Sequence, residues 1–106
     1  MAEVMRLSEE LWREAVGKAL VLAEGERMRA GILVLKPDQR LPEKGFSVHE
    51  EEDEFALVIS GKIKLVTKRG EIVISEGEVL FNPRGTPHRT ENPSNVEARI
   101  LWVLSR

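Results

Sequence analysis

Short apolar segments separated by turn residues make up most of the chain from residue 28 onward. Their length and close, regular spacing are typical of strands in a sandwich or barrel, and Gly, Pro, Asn, Asp and Ser stand between most of them. No longer internal repeat, which would indicate a propeller or solenoid, is visible. The pattern predicts an all-β fold with strands at Met28–Leu35, Phe46–His49, Phe55–Ser60, Lys62–Val66, Glu71–Ser75, Val79–Phe81, His88–Glu91 and Ala98–Leu104.

The segment before residue 28 predicts a tail, one short helix and one further strand. Residues 1–7 are expected to form the tail, and Ser8 can cap a helix whose first turn carries two glutamates. Apolar residues at helical spacing continue to Gly17, so we expect the helix over about 8–17. Ala19–Leu22 could extend this helix, but the turn-like sequence after it favours a strand.

The composition narrows the class of protein. A chain of 106 residues fits one domain, residues 1–106, with a barrel over 28–104. The net charge of −2 and the lack of a Lys/Arg cluster exclude nucleic acid as the expected partner. The longest apolar runs are too short to span a membrane and no secretion signal is visible, so we expect a cytoplasmic protein. The absence of Cys excludes thiolate sites, and with 32% charged residues it fits a thermophilic source.

Two of the predicted strands are apolar on both faces. Phe55–Ile59 and Ile100–Leu104 lack the alternation expected of a strand with one face in water. The outer face of these strands must therefore be covered, either by the N-terminal segment or by a second subunit. We predict a homodimer on this ground.

Five residues near the C-terminus stand at a characteristic spacing. They are Gly77, Pro83, Gly85, His88 and Asn92, separated by five, one, two and three residues. This pattern resembles the second motif of the cupin superfamily at every fixed position. Glycine and proline are individually uncommon, so the coincidence of this set makes the signal specific.

The first motif of the same family is matched in part. Glu54 and Gly61 stand at the spacing that ends that motif, and an apolar strand joins them. His49 lies four residues before the glutamate, where the second histidine of the family's His-x-His pair can fall. Position 47, where the first histidine would stand, holds Ser47, and Leu41 replaces the leading glycine.

The resemblance implies a double-stranded β-helix, also called a jelly-roll barrel, and a metal site in its lumen. Carried onto this sequence, the metal ligands are His49, Glu54 and His88. The departure at Ser47 could weaken metal binding, leave an extra open coordination position, or mark a member that has lost its metal. Two imidazoles and one carboxylate suit Fe, Mn, Ni or Zn as the divalent ion.

Strand alternation adds a constraint on this site. Residues 49 and 54 are an odd number apart, so one unbroken strand would point them to opposite faces. A turn or bulge within Glu50–Asp53 would allow both to face the lumen, and we expect this acidic run to be solvated. Glu51 is a possible substitute ligand.

Other chemistry-bearing residues have structural interpretations. We expect Asn92 to tie down a loop, and Trp12 and Trp102 to lie in the core or at an interface. Alternation proposes further lumen residues, namely Phe46, Ala56, Val58, Phe81 and Trp102.

Three functions follow from this sequence. The first is a metal-dependent enzyme of the oxygenase or isomerase type, acting on a small organic molecule. The second is a non-catalytic sensor that binds a small molecule or metal and acts through a separate partner. The third is a cupin that has lost its metal. No second general base is apparent in the motifs, so the sequence leaves open whether the protein is an enzyme.

Overall fold

The computed structural model describes residues 1–106 and contains one helix and nine strands. The predicted all-β fold with one short helix is confirmed. A five-stranded antiparallel sheet has the strand order β1-β2-β9-β4-β7, and a four-stranded antiparallel sheet has the order β3-β8-β5-β6. The elements are α1 (Glu9–Glu14), β1 (Leu20–Glu24), β2 (Met28–Leu35), β3 (Arg40–Leu41), β4 (Asp53–Ser60), β5 (Lys62–Thr67), β6 (Gly70–Ser75), β7 (Val79–Asn82), β8 (His88–Glu91) and β9 (Ala98–Ser105).

The two sheets pack face to face around one apolar core. Residues of β9 alternate between buried and half-buried along most of the strand, so one face of the larger sheet points into the core. Side chains of the larger sheet meet Ile63, Leu65 and Ile74 of the smaller sheet in a cluster of 11 buried residues. The lumen between the sheets is therefore filled by side chains over part of its length.

One end of the lumen is closed. Leu35 pairs with Ala98 in the register of the larger sheet, and both are fully buried. Val58 lies at the same end of β4 and is 1% exposed. The side-chain amide of Asn92 donates to the carbonyls of Leu35 and Val96, at 2.8 and 2.7 Å, and so ties the loop before β9 across this end. Asn92 thus has the loop-fixing role expected from the sequence.

The helix covers part of the outer face of the larger sheet. Its N-terminus is capped by Ser8, whose side chain accepts from the Leu11 N–H at 3.3 Å. The helix ends at Glu14, earlier than predicted, because Ala15 and Gly17 bond instead to Val34 of β2, at 2.9 and 2.8 Å. No helix of the protein has the length and apolar character needed to cross a membrane.

The outer face of the larger sheet has two unlike halves. In the covered half, Ile32 and Val34 of β2 are fully buried beneath Trp12 and Ala15. In the bare half, formed by β4 and β7, large apolar side chains are exposed, namely Phe55, Ile59, Val79 and Phe81.

Two predictions on local structure are wrong. Phe46–His49 is no strand, because only Ser47 pairs, in an isolated bridge to His88. Phe46 and Phe81 do not face the lumen: Phe46 is exposed beneath the guanidinium of Arg89, and Phe81 lies on the outer face of β7, 61% exposed. Apolar residues occupy adjacent positions in β7, so alternation along the sequence could not decide which of them faces inward.

Candidate metal centre

Three separate elements bring His49, Glu54 and His88 together. His88 is the first residue of β8, Glu54 is the second residue of β4, and His49 lies in the loop between β3 and β4. One potential ligand atom from each of the three lies within 4.8 Å of the others. The structure therefore collects the three residues that the family resemblance selects.

Backbone hydrogen bonds fix the loop that carries His49. Ser47 and His88 exchange both of their N–H···O bonds, at 2.8 and 2.9 Å, and the Gly85 N–H donates to the His49 carbonyl at 2.8 Å. The chain then bends at residues 50 and 51 before β4 begins. This bend lies where strand alternation requires one if residues 49 and 54 are to share a face.

His88 is held in one orientation by the backbone. It is 5% exposed, and its Nδ1 lies 3.0 Å from the carbonyl oxygen of Thr86. Because a carbonyl can only accept, Nδ1 carries the proton, and a neutral ring then presents the lone pair of Nε2. A backbone carbonyl behind a histidine is the usual partner that orients the ring toward a metal.

The other nitrogen of His88 faces a carboxylate. Nε2 lies 3.3 Å from Oε1 of Glu54. In a neutral imidazole of this tautomer both atoms are acceptors, so a cation has to lie between or beside them. Burial acts against the charged ring, but hydrogen bonds to Glu54 and Thr86 outweigh it and raise the pKa of His88. A proton can therefore meet this demand, and so can a metal ion.

Glu54 is half-buried and supported by an amide. Asn82, 5% exposed on β7, donates from Nδ2 to Oε1 of Glu54 at 3.1 Å. Partial burial raises the pKa of Glu54, but hydrogen bonds from His88 and Asn82 lower it by more, so the net shift is downward. The carboxylate is thus favoured in the charged form that a metal requires. Sequence reasoning missed Asn82, because only the β4–β7 register places it opposite Glu54.

His49 completes a set of side chains that fits a transition metal. The ring of His49 is half-buried, and its centroid lies 5.6 Å from that of His88. Ligand atoms bound at about 2.1 Å to one ion can lie at most roughly 4.2 Å apart. A shift of less than about 1 Å would bring the widest pair into this range. The imidazole and carboxylate donors, their spacing and their partners therefore fit a divalent ion.

The acidic run beside the site is less solvated than expected. Glu50 and Glu51 are exposed, but Glu52 pairs with Arg29 at 3.1 Å and Asp53 pairs with Arg84. Glu51 is not part of the ligand cluster, so its prediction as a substitute ligand is wrong.

A cavity of about 340 Å³ adjoins the cluster. Seventeen residues line it, and ten of them are hydrophobic. Ala56 and Trp102 are among these, as alternation predicted, whereas Val58 is buried in the core beyond the cavity. Ser47 also lines it, so a hydroxyl stands where the family motif would place another imidazole.

Comparison with known proteins identifies the family. The Cupin domain model matches residues 31–104, which include all three clustered residues. The chain is a cupin. The double-stranded β-helix expected from the two motifs is thereby confirmed for this chain.

Relatives of this cupin include proteins of the same and of greater length. A solved structure from Thermus thermophilus is 26% identical, with a TM-score of 0.79 over 98% of this chain and 97% of that one. A sugar phosphate isomerase of the cupin superfamily from Silicibacter pomeroyi is also 26% identical, with a TM-score of 0.67 over 76% of this chain and 52% of that one. A mannose-1-phosphate guanylyltransferase of Salmonella typhimurium is 29% identical over 90 residues. That match covers 84% of this cupin but only 18% of the enzyme.

Proposed function

We propose that this cupin binds one divalent transition-metal ion through His49, Glu54 and His88 and uses it to bind or convert a small organic molecule in the barrel lumen. The observation that supports this most directly is the contact between Nε2 of His88 and the Glu54 carboxylate. The Thr86 carbonyl fixes a proton on the opposite nitrogen, so Nε2 and the carboxylate can share either a second proton or a metal ion at this contact.

The residues around the ion have separate roles in this proposal. Thr86 orients His88, and Asn82 orients Glu54, so two of the three ligands are preset. The bound metal would supply Lewis acidity to an oxygen of the ligand. Three protein ligands leave positions open for such oxygens, and the short side chain of Ser47 keeps the adjoining space free. Glu54 serves as a ligand and not as a base.

The reaction proposed is of the isomerase or oxygenase type. The relative from Silicibacter pomeroyi is described as a sugar phosphate isomerase, which makes isomerase chemistry the first to test. Fe, Mn, Ni and Zn all suit the donor set, so the identity of the metal has to be determined by elemental analysis of the purified protein.

Metal analysis tests the proposal. Protein purified without a tag or chelator is expected to contain about one metal ion per chain, as measured by inductively coupled plasma mass spectrometry. The His88→Ala variant should lose most of this metal while its circular dichroism stays that of a folded β-protein. Thr90→Val is the matched control, because Thr90 lines the same cavity without belonging to the cluster, and it should keep its metal.

Two outcomes would reject the metal site. One is a wild-type protein that takes up none of the four metals when each is offered at equimolar amount. The other is full metal content in His88→Ala. The former result would favour the cupin that has lost its metal, and metal binding without turnover of any substrate would favour the sensor.

We also propose that a second copy of the chain covers the bare half of the sheet. Phe55 and Phe81 lie directly opposite each other on that face, and Val79 lies opposite Leu57. The patch is apolar and continuous, and it ends at β7, an edge strand of the sheet. A two-fold axis would set the same patch of each subunit against the other, the usual arrangement of a homodimer.

A further inference from the structure

An arginine lines the cavity at the open end of the lumen, opposite the closed end. Arg29 is the second residue of β2 and belongs to the lining of the cavity beside the candidate metal centre. It pairs with Leu104 of β9, whose side chain lies in the core. Residues directly opposite each other in an antiparallel pair share a face of the sheet, so Arg29 is directed into the lumen and not toward the helix.

The register of the larger sheet sets Arg29 and Glu54 at the same depth in the lumen. Both residues pair with Leu104, Arg29 from the β2 side and Glu54 from the β4 side. Neighbouring strands lie about 4.8 Å apart, so the Cα atoms of the arginine and the glutamate are separated by roughly 10 Å. The candidate metal centre therefore has a cationic side chain facing it from two strands away.

A carboxylate outside the cavity holds the guanidinium in this direction. Nη2 of Arg29 donates to Oε1 of Glu52 at 3.1 Å, and Glu52 precedes Glu54 by two residues. The side chain of Arg29 thus reaches across β9 toward the β4 side of the lumen. Glu52 does not line the cavity, and this single hydrogen bond leaves most N–H groups of the guanidinium for other acceptors.

The charges of the lining favour an anionic ligand. Apart from the two histidines, the ionisable side chains that line the cavity are Lys18, Arg29 and Glu54. Glu54 already contacts His88 and Asn82, whereas Lys18 belongs to no ion pair. Cationic groups at the wall of a largely apolar cavity raise the local concentration of anions.

We infer that the cavity binds a small organic anion at two points: Arg29 binds its carboxylate or phosphate group, and an oxygen at its other end lies at the candidate metal centre. The planar guanidinium matches both kinds of oxyanion. A separation of roughly 10 Å between backbone positions, shortened by the two side chains, fits an anion of only a few carbon atoms. This inference rests on the proposed ligand-binding function of the lumen, but the role of Arg29 does not require the metal.

Titration with three matched probes, followed by NMR, tests the inference on the full chain both without metal and after addition of zinc. Glycerol 3-phosphate, 3,4-dihydroxybutanoate and 3,4-dihydroxybutanamide share a terminal diol and carry a phosphate, a carboxylate and a neutral amide at the other end. We expect the wild type to bind the better of the two anions about tenfold more tightly than the amide, because a charged acceptor strengthens the hydrogen bond to Arg29. The anion that binds more tightly distinguishes a phosphate ester from a carboxylate as the group that Arg29 holds.

Arg29→Gln and Arg27→Gln form a matched pair of variants. Each removes one positive charge from the same end of the molecule, but Arg27 is exposed and does not line the cavity. Arg29→Gln should reduce the preference for the anion over the amide to about twofold or less, and Arg27→Gln should leave it within about twofold of the wild-type value. Neither side chain is buried, so both variants should fold, and circular dichroism checks this.

Three results would overturn the inference: equal affinity of the wild type for the amide and the anions, an unchanged preference in folded Arg29→Gln, or an equal loss of preference in Arg27→Gln. Failure of both anions to bind a protein that holds zinc would also overturn it and would leave the metal site standing. A preference that depends on Arg29 in a protein that takes up no metal would support the inference and reject the metal site. The two proposals can therefore fail separately.

Discussion

The covered and bare halves of the larger sheet's outer face differ in what shields their apolar side chains. In the covered half, the helix buries Ile32 and Val34 completely, and Arg99 stacks over Trp12 at 5.0 Å while it pairs with Glu9. In the bare half, Phe81 is 61% exposed. The sequences of both halves are equally apolar. Apolar residues on both faces of a strand indicate that its outer face is covered. Whether the same chain or another one covers it depends on the tertiary fold.

The largest expected effect comes from removing the cover itself. Trp12→Ala should lower the free energy of unfolding by about 3–5 kcal/mol, because it leaves a cavity above two fully buried residues. The matched change on the bare half, Phe81→Ala, should cost about 1 kcal/mol or less in dilute solution. Chemical denaturation measures both, and equal costs would show that the two halves do not differ as described.

A charge placed on the bare half should act on association and not on folding. Phe81→Asp is expected to weaken the proposed dimer about thirtyfold or more, since a central aromatic residue is typical of an interface hot spot. Sedimentation velocity over a concentration series measures this. Ile72→Asp is the control, because Ile72 is 60% exposed on the other sheet. Dissociation by the control alone would place the interface elsewhere.

The smallest expected effect concerns the ion pair at the edge of the covered half. The hydrogen bonds with Arg99 hold the pKa of Glu9 below its ordinary value of 4.5. A carboxyl group with a lowered folded pKa stabilises the fold above its unfolded pKa, and this contribution is lost as the pH falls through the folded value. The difference in unfolding free energy between wild type and Glu9→Gln should therefore shrink from about pH 6 to about pH 3.

The double variant Glu9→Gln/Arg99→Gln completes this measurement. Adding the second substitution to the first should change the pH dependence little, because the pair with Glu9 is already broken and the remaining contact of Arg99, to Glu97, is longer at 3.7 Å. If the difference in unfolding free energy between wild type and Glu9→Gln stays constant over the same pH range, the ion pair does not help to hold the helix on the sheet.

Much of the fold could be predicted because turn residues delimit the strands. The predicted bounds of Met28–Leu35 and His88–Glu91 agree with the structure, and turn residues stand beside each. Phe46–His49 failed because its apolar residues suggested a strand, whereas only Ser47 finds a partner. Pairing partners are a property of the assembled sheets, and local sequence does not contain them.

The candidate site divides in the same way. Its three proposed ligands came from the spacing of a family motif, and the structure brings them together. Asn82 was not assigned a role at the site, because its contact with Glu54 depends on the cross-strand register of β4 and β7. Such features are visible only when the packing around each polar atom is known.

The closed end of the lumen, where Leu35, Val58 and Ala98 fill the space, makes this barrel a cup and not a tube. A molecule that reaches Trp102 has to leave by the mouth through which it came. A cavity of about 340 Å³ is at the small end of ligand sites, so we expect it to hold one molecule at a time, and each departure then precedes the next arrival. The residence time of the bound molecule then sets an upper limit on the rate at which the cavity can exchange one molecule for the next.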